Sequence, residues 1–162
     1  MSTTIAMLIA ALAAADPNQR REAAEALMAA GADARTAAVA LVRAAGDDDE
    51  EVREAAVGAV EDLGPPSAEQ FAELAALASD ANPDVAYWAV TLLGRAEAAA
   101  KSKLPALIAA LEPKVAIQVR QRAAWAIGKI GATTPEAQAA LKTAATDADP
   151  RLARLAREAL GN

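Results

Sequence analysis

Residues 119–131 read VRQRAAWAIGKIG, and this stretch decides the fold because its pattern recurs along the chain. Its apolar residues Val119, Ala123, Ala126 and Ile127 are four, three and one positions apart, which places them on one stripe of an α-helix. Shifting the sequence by 33 residues, with one extra residue before the fourth copy, aligns five such stripes. The small residue of the stripe forms the column Ala23, Ala56, Ala89, Ala123 and Ala156. The large residue four positions later forms the column Leu27, Val60, Leu93, Ile127 and Leu160.

A second column follows the same shift between these helices. It consists of Leu8, Leu41, Leu74, Ile108 and Leu141, each about eleven residues before the next stripe begins. Two independent columns in register over five copies predict that each repeat holds two helices, a first helix A and a second helix B. The predicted repeats span approximately residues 1–31, 32–64, 65–97, 98–131 and 132–162, within a single domain of residues 1–162.

Turn residues agree with this division. Asp16-Pro17, Asn82-Pro83 and Asp149-Pro150 each precede a B helix, where Asp or Asn caps free N–H groups and proline suits the first helical position. Gly31, Gly64 and Gly131 follow B helices, where glycine most easily adopts the left-handed cap. The ten predicted helices lie near residues 3–14, 17–30, 34–45, 50–63, 67–79, 83–97, 101–111, 115–130, 135–146 and 150–160.

The composition limits the classes of function. Hydrophobic residues make up 54% of the 162 residues and aromatics 2%, which favours alanine-rich helices over sheets. The sequence has no Cys and no His, so disulfides, thiol nucleophiles, most transition-metal sites and the commonest general base are excluded. Its net charge of −6 disfavours a grip on nucleic-acid phosphates. We therefore expect a protein without catalytic residues, metal or cofactor.

The apolar stretch at residues 5–15 has two interpretations. It resembles the core of a secretory signal, but the preceding residues 1–4 carry no Lys or Arg, and it is shorter than the roughly 18 apolar residues of a membrane span. We interpret it as the first repeat helix and expect a cytoplasmic protein without membrane contact. Because this helix is apolar around much of its circumference, the expected oligomeric state is a monomer or a weakly associating dimer.

The repeat resembles a known family. KLPALIAAL at 103–111, followed by residues 119–131, is similar to a HEAT repeat, in particular to the short HEAT-like repeats of phycobilisome-lyase-related proteins. Residues 16–24 and 49–56 carry the same Asp, Arg and Ala-Ala pattern more loosely. The resemblance implies an all-α fold, a right-handed α-solenoid of about five helix pairs.

The resemblance also implies a structural role for one arginine column. HEAT repeats place an Arg after the first apolar position of helix B, usually paired with an Asp of a neighbouring repeat. Arg20, Arg53 and Arg120 match, and Asp16 and Asp49 are the predicted partners. Ala86 and Ala153 occupy the Arg column in the other two repeats, so a continuous polar ladder is not expected. The acidic run at residues 47–51 is interpreted as a solvated turn that favours a helix N-terminus.

The few aromatic residues provide the candidate binding site. Trp125 and Tyr87 lie on the side of the B helices away from the apolar stripe, which the resemblance makes the concave surface of the array. Exposed Trp and Tyr are favoured interface anchors. The alternative is that Trp125 only fills space against the next repeat. The predicted partner-binding residues are Tyr87, Trp88, Thr91, Arg95, Gln121, Arg122, Trp125 and Lys129.

Three functions are compatible with these patterns. The preferred hypothesis is a non-catalytic scaffold that binds a protein or peptide along its B-helix face. The resemblance supports an accessory protein or subunit of a bilin-lyase-type enzyme as the alternative, although no residue specifically marks a bilin site. A third is an engineered repeat scaffold without a native task, which the divergence between the five copies disfavours.

Overall fold

A computed structural model describes residues 2–161, and every regular element in that range is helical. The α-helices are α1 (Ser2–Ala11), α2 (Pro17–Ala30), α3 (Ala38–Ala44), α4 (Glu50–Asp62), α5 (Phe71–Leu77), α6 (Pro83–Arg95), α7 (Leu104–Ala109), α8 (Ile117–Ile130), α9 (Pro135–Ala144) and α10 (Pro150–Leu160). Odd-numbered helices are the A helices and even-numbered helices the B helices. The all-α repeat fold predicted from the two columns is confirmed.

Three A helices begin later than the pattern predicts. Short 3₁₀ segments precede them, at Gly31–Ala37 before α3, Ala68–Gln70 before α5 and Glu97–Lys103 before α7. A 3₁₀ segment is wound more tightly than an α-helix and commonly serves as a connector. The hydrophobic period does not distinguish the two kinds of helix over so few residues, so the predicted boundaries took in the connectors.

The molecule divides into two compact units. The first runs from the N-terminus to Gln70 and the second from Phe71 to the C-terminus. In the first unit, α2 and α3 both pack against α4. In the second unit, the B helices α6, α8 and α10 pack in succession, and α5, α7 and α9 each pack against a B helix. Each unit therefore builds its own core from B helices packed side by side.

The alanine column lies at the centre of both cores. Ala56 is fully buried in the first unit, as are Ala89, Ala123 and Ala156 in the second. Leu27, Val60, Leu93 and Ile127 of the large-residue column are also fully buried. Small side chains let neighbouring helices approach, and the aliphatic residues fill the remaining space. Two positions of the A-helix column differ from the prediction: Leu8 is only half-buried, and Leu104 and Leu107 rather than Ile108 are the fully buried residues of α7.

The predicted N-terminal caps of the B helices form. The side chains of Asp16, Asn82 and Asp149 accept hydrogen bonds from the backbone N–H groups of residues 18, 84 and 152, at 3.0, 2.9 and 2.7 Å. A proline follows each of these caps at the start of the helix. Gly31, Gly64 and Gly131 all have positive φ angles, of 53, 75 and 99°. The left-handed cap predicted for them is wrong in detail, because the ψ angles of Gly31 and Gly131 are −128 and 121° and α4 is capped by Leu63 instead of Gly64. The turn chemistry read from the sequence therefore sets the beginnings of these B helices, and glycine supplies the positive φ after them.

The arginine column joins helices within each unit, but its partners differ from the prediction. Arg20 on α2 forms two hydrogen bonds with the Asp47 carboxylate, both of 2.8 Å, and Arg120 on α8 contacts Asp147 at 2.5 Å. The predicted partners Asp16 and Asp49 are wrong, because their carboxylates cap α2 and α4 instead. The acceptor is the Asp two residues before the cap, where its side chain also accepts the N–H of the capping residue.

The same arginines also satisfy carbonyl groups of the preceding turn. Arg20 donates to the carbonyls of Ala14 and Ala15, and Arg53 donates to those of Asp47 and Asp48. Arg120 donates to the carbonyl of Leu111. Each guanidinium therefore covers polar groups at the end of the A helix of its own repeat, and Arg20 and Arg120 add an Asp of the following repeat.

The Arg20–Asp47 contact predicts an acid-sensitive part of the stability. The Arg20 guanidinium, together with the N–H of Asp49, holds the pKa of the Asp47 carboxyl below its usual range. A carboxyl whose pKa is lower in the folded state stabilises the fold fully above its unfolded pKa of about 3.9, and this contribution is lost as pH falls through the folded pKa. We expect D47N to lower the melting temperature at pH 7 by about 3–8 °C.

Circular dichroism melts over a pH series test this expectation. The difference between wild type and D47N should shrink below pH of about 4, where the wild-type carboxylate begins to be protonated. D48N is the control, since Asp48 is exposed and its side chain is not the acceptor for Arg20. An equal melting temperature for D47N and D48N at pH 7 would contradict the stabilising role of the contact.

No helix among residues 2–161 is both long and apolar enough to cross a membrane.

Candidate binding site

Four side chains on α6 and α8 form a cluster in the second unit. The Arg122 guanidinium lies over the Tyr87 ring, 4.6 Å from its centroid, and over the Trp125 ring, 4.9 Å from its centroid. Its Nη2 donates a hydrogen bond to the Tyr87 hydroxyl. Tyr87 and Trp88 contact each other edge to face, with centroids 5.3 Å apart. We call Tyr87, Trp88, Arg122 and Trp125 the aromatic–arginine cluster.

The repeat register places this cluster. Arg122 and Trp125 are three residues apart on α8, so they share one face of the helix. Tyr87 lies on α6, the B helix that packs directly against α8. An arginine over aromatic rings gains about 0.5–2 kcal/mol from the attraction between its charge and the ring faces. This attraction fixes the orientation of the guanidinium at the surface.

Trp125 is half-buried, so it is both packed against its neighbours and partly exposed. One edge of its ring lies against Gly94 of α6, so closely that a Cβ atom at Gly94 would be 2.5 Å from the Trp125 Cζ3 atom. The same Cβ would be 2.9 Å from the Cβ of Ala126. Trp125 therefore packs against the neighbouring repeat and also presents part of its ring to the surface.

The close approach at Gly94 predicts a cost for any side chain there. We expect G94A to lower the free energy of unfolding by about 1–2 kcal/mol, because the overpacking penalty exceeds the helix propensity that alanine adds. G58A is the matched control, since Gly58 is also in a B helix and its Cβ would meet only the movable Met28 Sδ, at 2.9 Å. Urea denaturation should show G58A at least as stable as wild type. A G94A variant that is equally stable would disprove the tight contact.

Two shallow depressions adjoin the cluster. The first has a volume of about 270 Å³ and is lined by Tyr87, Gln118, Gln121, Arg122, Trp125, Arg151 and Leu155. The second has a volume of about 360 Å³ and is lined by Trp125, Gly128, Lys129, Leu155, Glu158 and Ala159. Trp125 and Leu155 belong to both linings. The surface of α8 and α10 thus offers two neighbouring depressions with an apolar boundary between them.

The other predicted site residues occupy different positions around the cluster. Thr91 is only 2% exposed and donates its hydroxyl to the Tyr87 carbonyl at 2.7 Å, so it supports α6 and offers no surface to a partner. Gln121 donates to Asp149 at 3.0 Å, joining α8 to the start of α10. Arg95 is half-buried near the end of α6. Lys129 is exposed and lines the second depression.

Sequence reasoning missed three lining residues of the first depression, Gln118, Arg151 and Leu155, and three more of the second, Gly128, Glu158 and Ala159. The signal for them was present in the repeat register. Leu155 is 33 residues after Arg122, and Arg151 is 33 residues after Gln118, so they occupy equivalent positions on successive B helices. Extending the candidate face to the fifth repeat would have identified the residues of α10.

The charge is distributed unevenly along the sequence. Residues 1–70 contain 5 basic and 13 acidic residues, a net charge of −8, whereas residues 71–162 contain 11 basic and 9 acidic residues, a net charge of +2. Among the residues that the structure describes, Arg122, Lys129 and Arg151 form no ion pair, while Glu158 pairs with Arg154 at 2.8 Å. The candidate site is therefore locally cationic on an acidic protein.

Other surfaces offer less specific chemistry. A cleft of about 540 Å³ in the first unit, lined by α1, α2 and the Gly31–Ala37 segment, contains one carboxylate, Asp33, and no aromatic residue. Within the described range, no group of three or more Asp and Glu residues is arranged to hold a metal ion. The aromatic–arginine cluster, which combines aromatic rings with a hydrogen-bonding cation, is thus the preferred candidate for a binding site.

Comparison with known proteins agrees with this architecture. The sequence profile of the family described as HEAT repeats matches residues 71–161, which is more than half of the chain. The chain belongs to the HEAT-repeat family. A comparison with curated proteins gave no significant match.

Solved structures with similar folds include helical-repeat proteins and engineered proteins. One is the complex of CpcE and CpcF of phycocyanin lyase from Nostoc sp. PCC7120, with a TM-score of 0.66 and 22% identity over 96% of this chain and 63% of that chain. A designed armadillo repeat protein in complex with the peptide (KR)4 has a TM-score of 0.63 and 22% identity, covering 95% of this chain and 79% of the other. An engineered protein has a TM-score of 0.62 and 20% identity, covering 96% and 77%. These likenesses define the fold class as a repeat solenoid.

Proposed function

We propose that this protein is a non-catalytic scaffold that binds a protein or peptide on the B-helix surface of its second unit. The observation that carries the proposal is the aromatic–arginine cluster beside two depressions, because half-exposed Trp and Tyr with an arginine are the residue types that dominate binding energy at interfaces. Helical repeats commonly use a surface built by successive helices to bind extended partners. The designed armadillo repeat protein of similar fold is likewise found in complex with a peptide.

The composition of the protein supports a binding rather than a catalytic role. The sequence has no His and no Cys, and the charged residues that line the first depression are the cations Arg122 and Arg151. A net charge of −6 favours a protein partner over nucleic acid. We place this activity in the cytoplasm, as expected from the sequence.

A peptide selection tests the proposal. Random dodecamer peptides are selected on the protein of residues 1–162, and peptides that are still retained by a W125A variant are removed. We expect a set of peptides that bind wild type and lose affinity for W125A, because Trp125 lines both depressions. If no peptide depends on Trp125, the proposed site is wrong.

An accessory role in bilin attachment is the second candidate, favoured by the likeness of fold to the phycocyanin lyase complex. Mixing the protein with a free bilin and recording the absorbance spectrum separates the two functions. A spectral change that Y87A and W125A abolish would favour the bilin role, whereas an unchanged spectrum would favour the scaffold.

A further inference from the structure

The first depression has an unbalanced charge. Two of its lining residues, Arg122 and Arg151, are cationic, and none is acidic. Neither arginine forms an ion pair with any residue in the described part of the protein. The remaining polar lining residues, Gln118, Gln121 and Tyr87, are neutral. A ligand that brings a negative charge would thus complete the site.

The free N–H donors of Arg122 indicate which negatively charged group of a ligand the site can bind. Its guanidinium carbon lies 4.6 Å from the centroid of the Tyr87 ring and 4.9 Å from that of the Trp125 ring. One N–H donor is used by the Tyr87 hydroxyl, and four of the five remain. A planar set of parallel N–H groups matches the two oxygens of a carboxylate and forms two hydrogen bonds with it.

The charge of the whole protein favours an isolated carboxylate over a polyanion. The protein as a whole carries a net charge of −6, which opposes the approach of a nucleic acid or a strongly acidic segment. A single carboxylate on an otherwise apolar segment is much less affected. The boundary formed by Trp125 and Leu155 would hold an apolar side chain of that segment against the neighbouring depression.

We infer that the peptide recognised here carries a single carboxylate, from an Asp or Glu side chain or from a free peptide C-terminus, which binds Arg122 and Arg151 beside an apolar residue packed on Trp125 and Leu155. This inference rests on the proposed function, since it specifies the ligand chemistry of the same site. It is opposite in charge to the basic peptide (KR)4 bound by the designed armadillo protein.

Peptides from the selection test the inference, with their affinities for the protein of residues 1–162 measured by fluorescence anisotropy. We expect the selected peptides to contain an isolated acidic residue or to require a free C-terminus. Replacing the peptide Glu with Gln, or the terminal carboxylate with an amide, should lower affinity at least about tenfold at low salt, and the two replacements separate the two sources. High salt should weaken wild-type binding.

Two variants, R122Q and R151Q, test whether these arginines bind the carboxylate of the peptide. R122Q should lower affinity for the acidic peptide about as much as neutralising the peptide does, and neutralising the peptide should then have little further effect on R122Q. R151Q, which removes a cation without disturbing the rings, should show a smaller loss of the same kind. Thermal melts of both variants check that the fold is retained.

The outcomes separate the two proposals. Peptides that depend on Trp125 but not on a carboxylate would overturn this inference and leave the proposed function standing. An absence of any Trp125-dependent peptide would overturn both. Binding of a single-stranded oligonucleotide that R122Q abolishes, or a dimer in sedimentation that R122Q dissociates, would also overturn the inference, because the occupant would then be a nucleic acid or a second copy.

Discussion

W125A should lower the affinity for a selected peptide at least about 30-fold, equivalent to about 2 kcal/mol. Trp125 lines both depressions and lies under the Arg122 guanidinium, so its removal eliminates an apolar contact and also releases the arginine. Anchors at the centre of an interface contribute more than residues at its rim. This is the largest expected effect of a single substitution on binding.

Two further variants make this measurement specific. W125F keeps a ring over which Arg122 can lie and should lose less affinity than W125A. K142A is the control, because Lys142 is an exposed residue of α9 outside both depressions and its removal should leave affinity unchanged. Equal affinities of W125A and K142A, with both variants folded, would show that the partner binds elsewhere.

L93A should lower the free energy of unfolding by about 3 kcal/mol, within the range of about 2–5 kcal/mol for fully buried leucines. Leu93 is fully buried on α6, the helix that packs against both α5 and α8. Its truncation leaves a cavity where the helices are held together by close-packed small and aliphatic side chains. This is the largest stability effect that we predict.

Tryptophan fluorescence during urea denaturation measures the loss of stability in the second unit, where Leu93 lies. Trp88 and Trp125 both lie in the second unit, so the fluorescence transition reports its unfolding. I117A is the matched control, since Ile117 is a large aliphatic residue of the same unit but is 39% exposed, and its truncation should cost no more than about 0.5 kcal/mol. If L93A and I117A unfolded at similar urea concentrations, the large-residue column that contains Leu93 would not be the main source of stability in this unit.

The helical part of the fold could be predicted because two local rules agree with each other. The stripe through Ala123 and Ile127 defines the buried face of α8, and both residues are fully buried. Capping residues such as Asp149 define where B helices begin. Both rules depend only on neighbouring residues, so a single sequence reveals them. The buried residue of α7 was misplaced by one position because short apolar runs such as LPALIA contain two candidate stripes.

The candidate site was less predictable, for a physical reason. The repeat register indicates which face of a helix a residue occupies, but not which rotamer it adopts. Thr91 shares a repeat position with Trp125, yet it turns its hydroxyl to the Tyr87 carbonyl and is buried. The position of Arg122 over two rings depends on packing between α6 and α8, which no local pattern encodes. Arg20 contacts Asp47 while the predicted partner Asp49 caps α4, and the sequence pattern alone does not show which carboxylate of the acidic run lies within reach of the arginine.

The arginine–aspartate contacts have a consequence for recombining such repeats. Arg20 and Asp47 are 27 residues apart, as are Arg120 and Asp147, so each contact joins one repeat to the turn of the following repeat. A repeat separated at its boundary therefore carries either the arginine that contacts the following repeat or the aspartate that contacts the preceding repeat. It never contains both residues of the same contact. Splicing repeats from different HEAT proteins would preserve this contact only where a donor-bearing repeat precedes an acceptor-bearing one. In this protein, Ala86 and Ala153 mark repeats that bring no donor to a following partner.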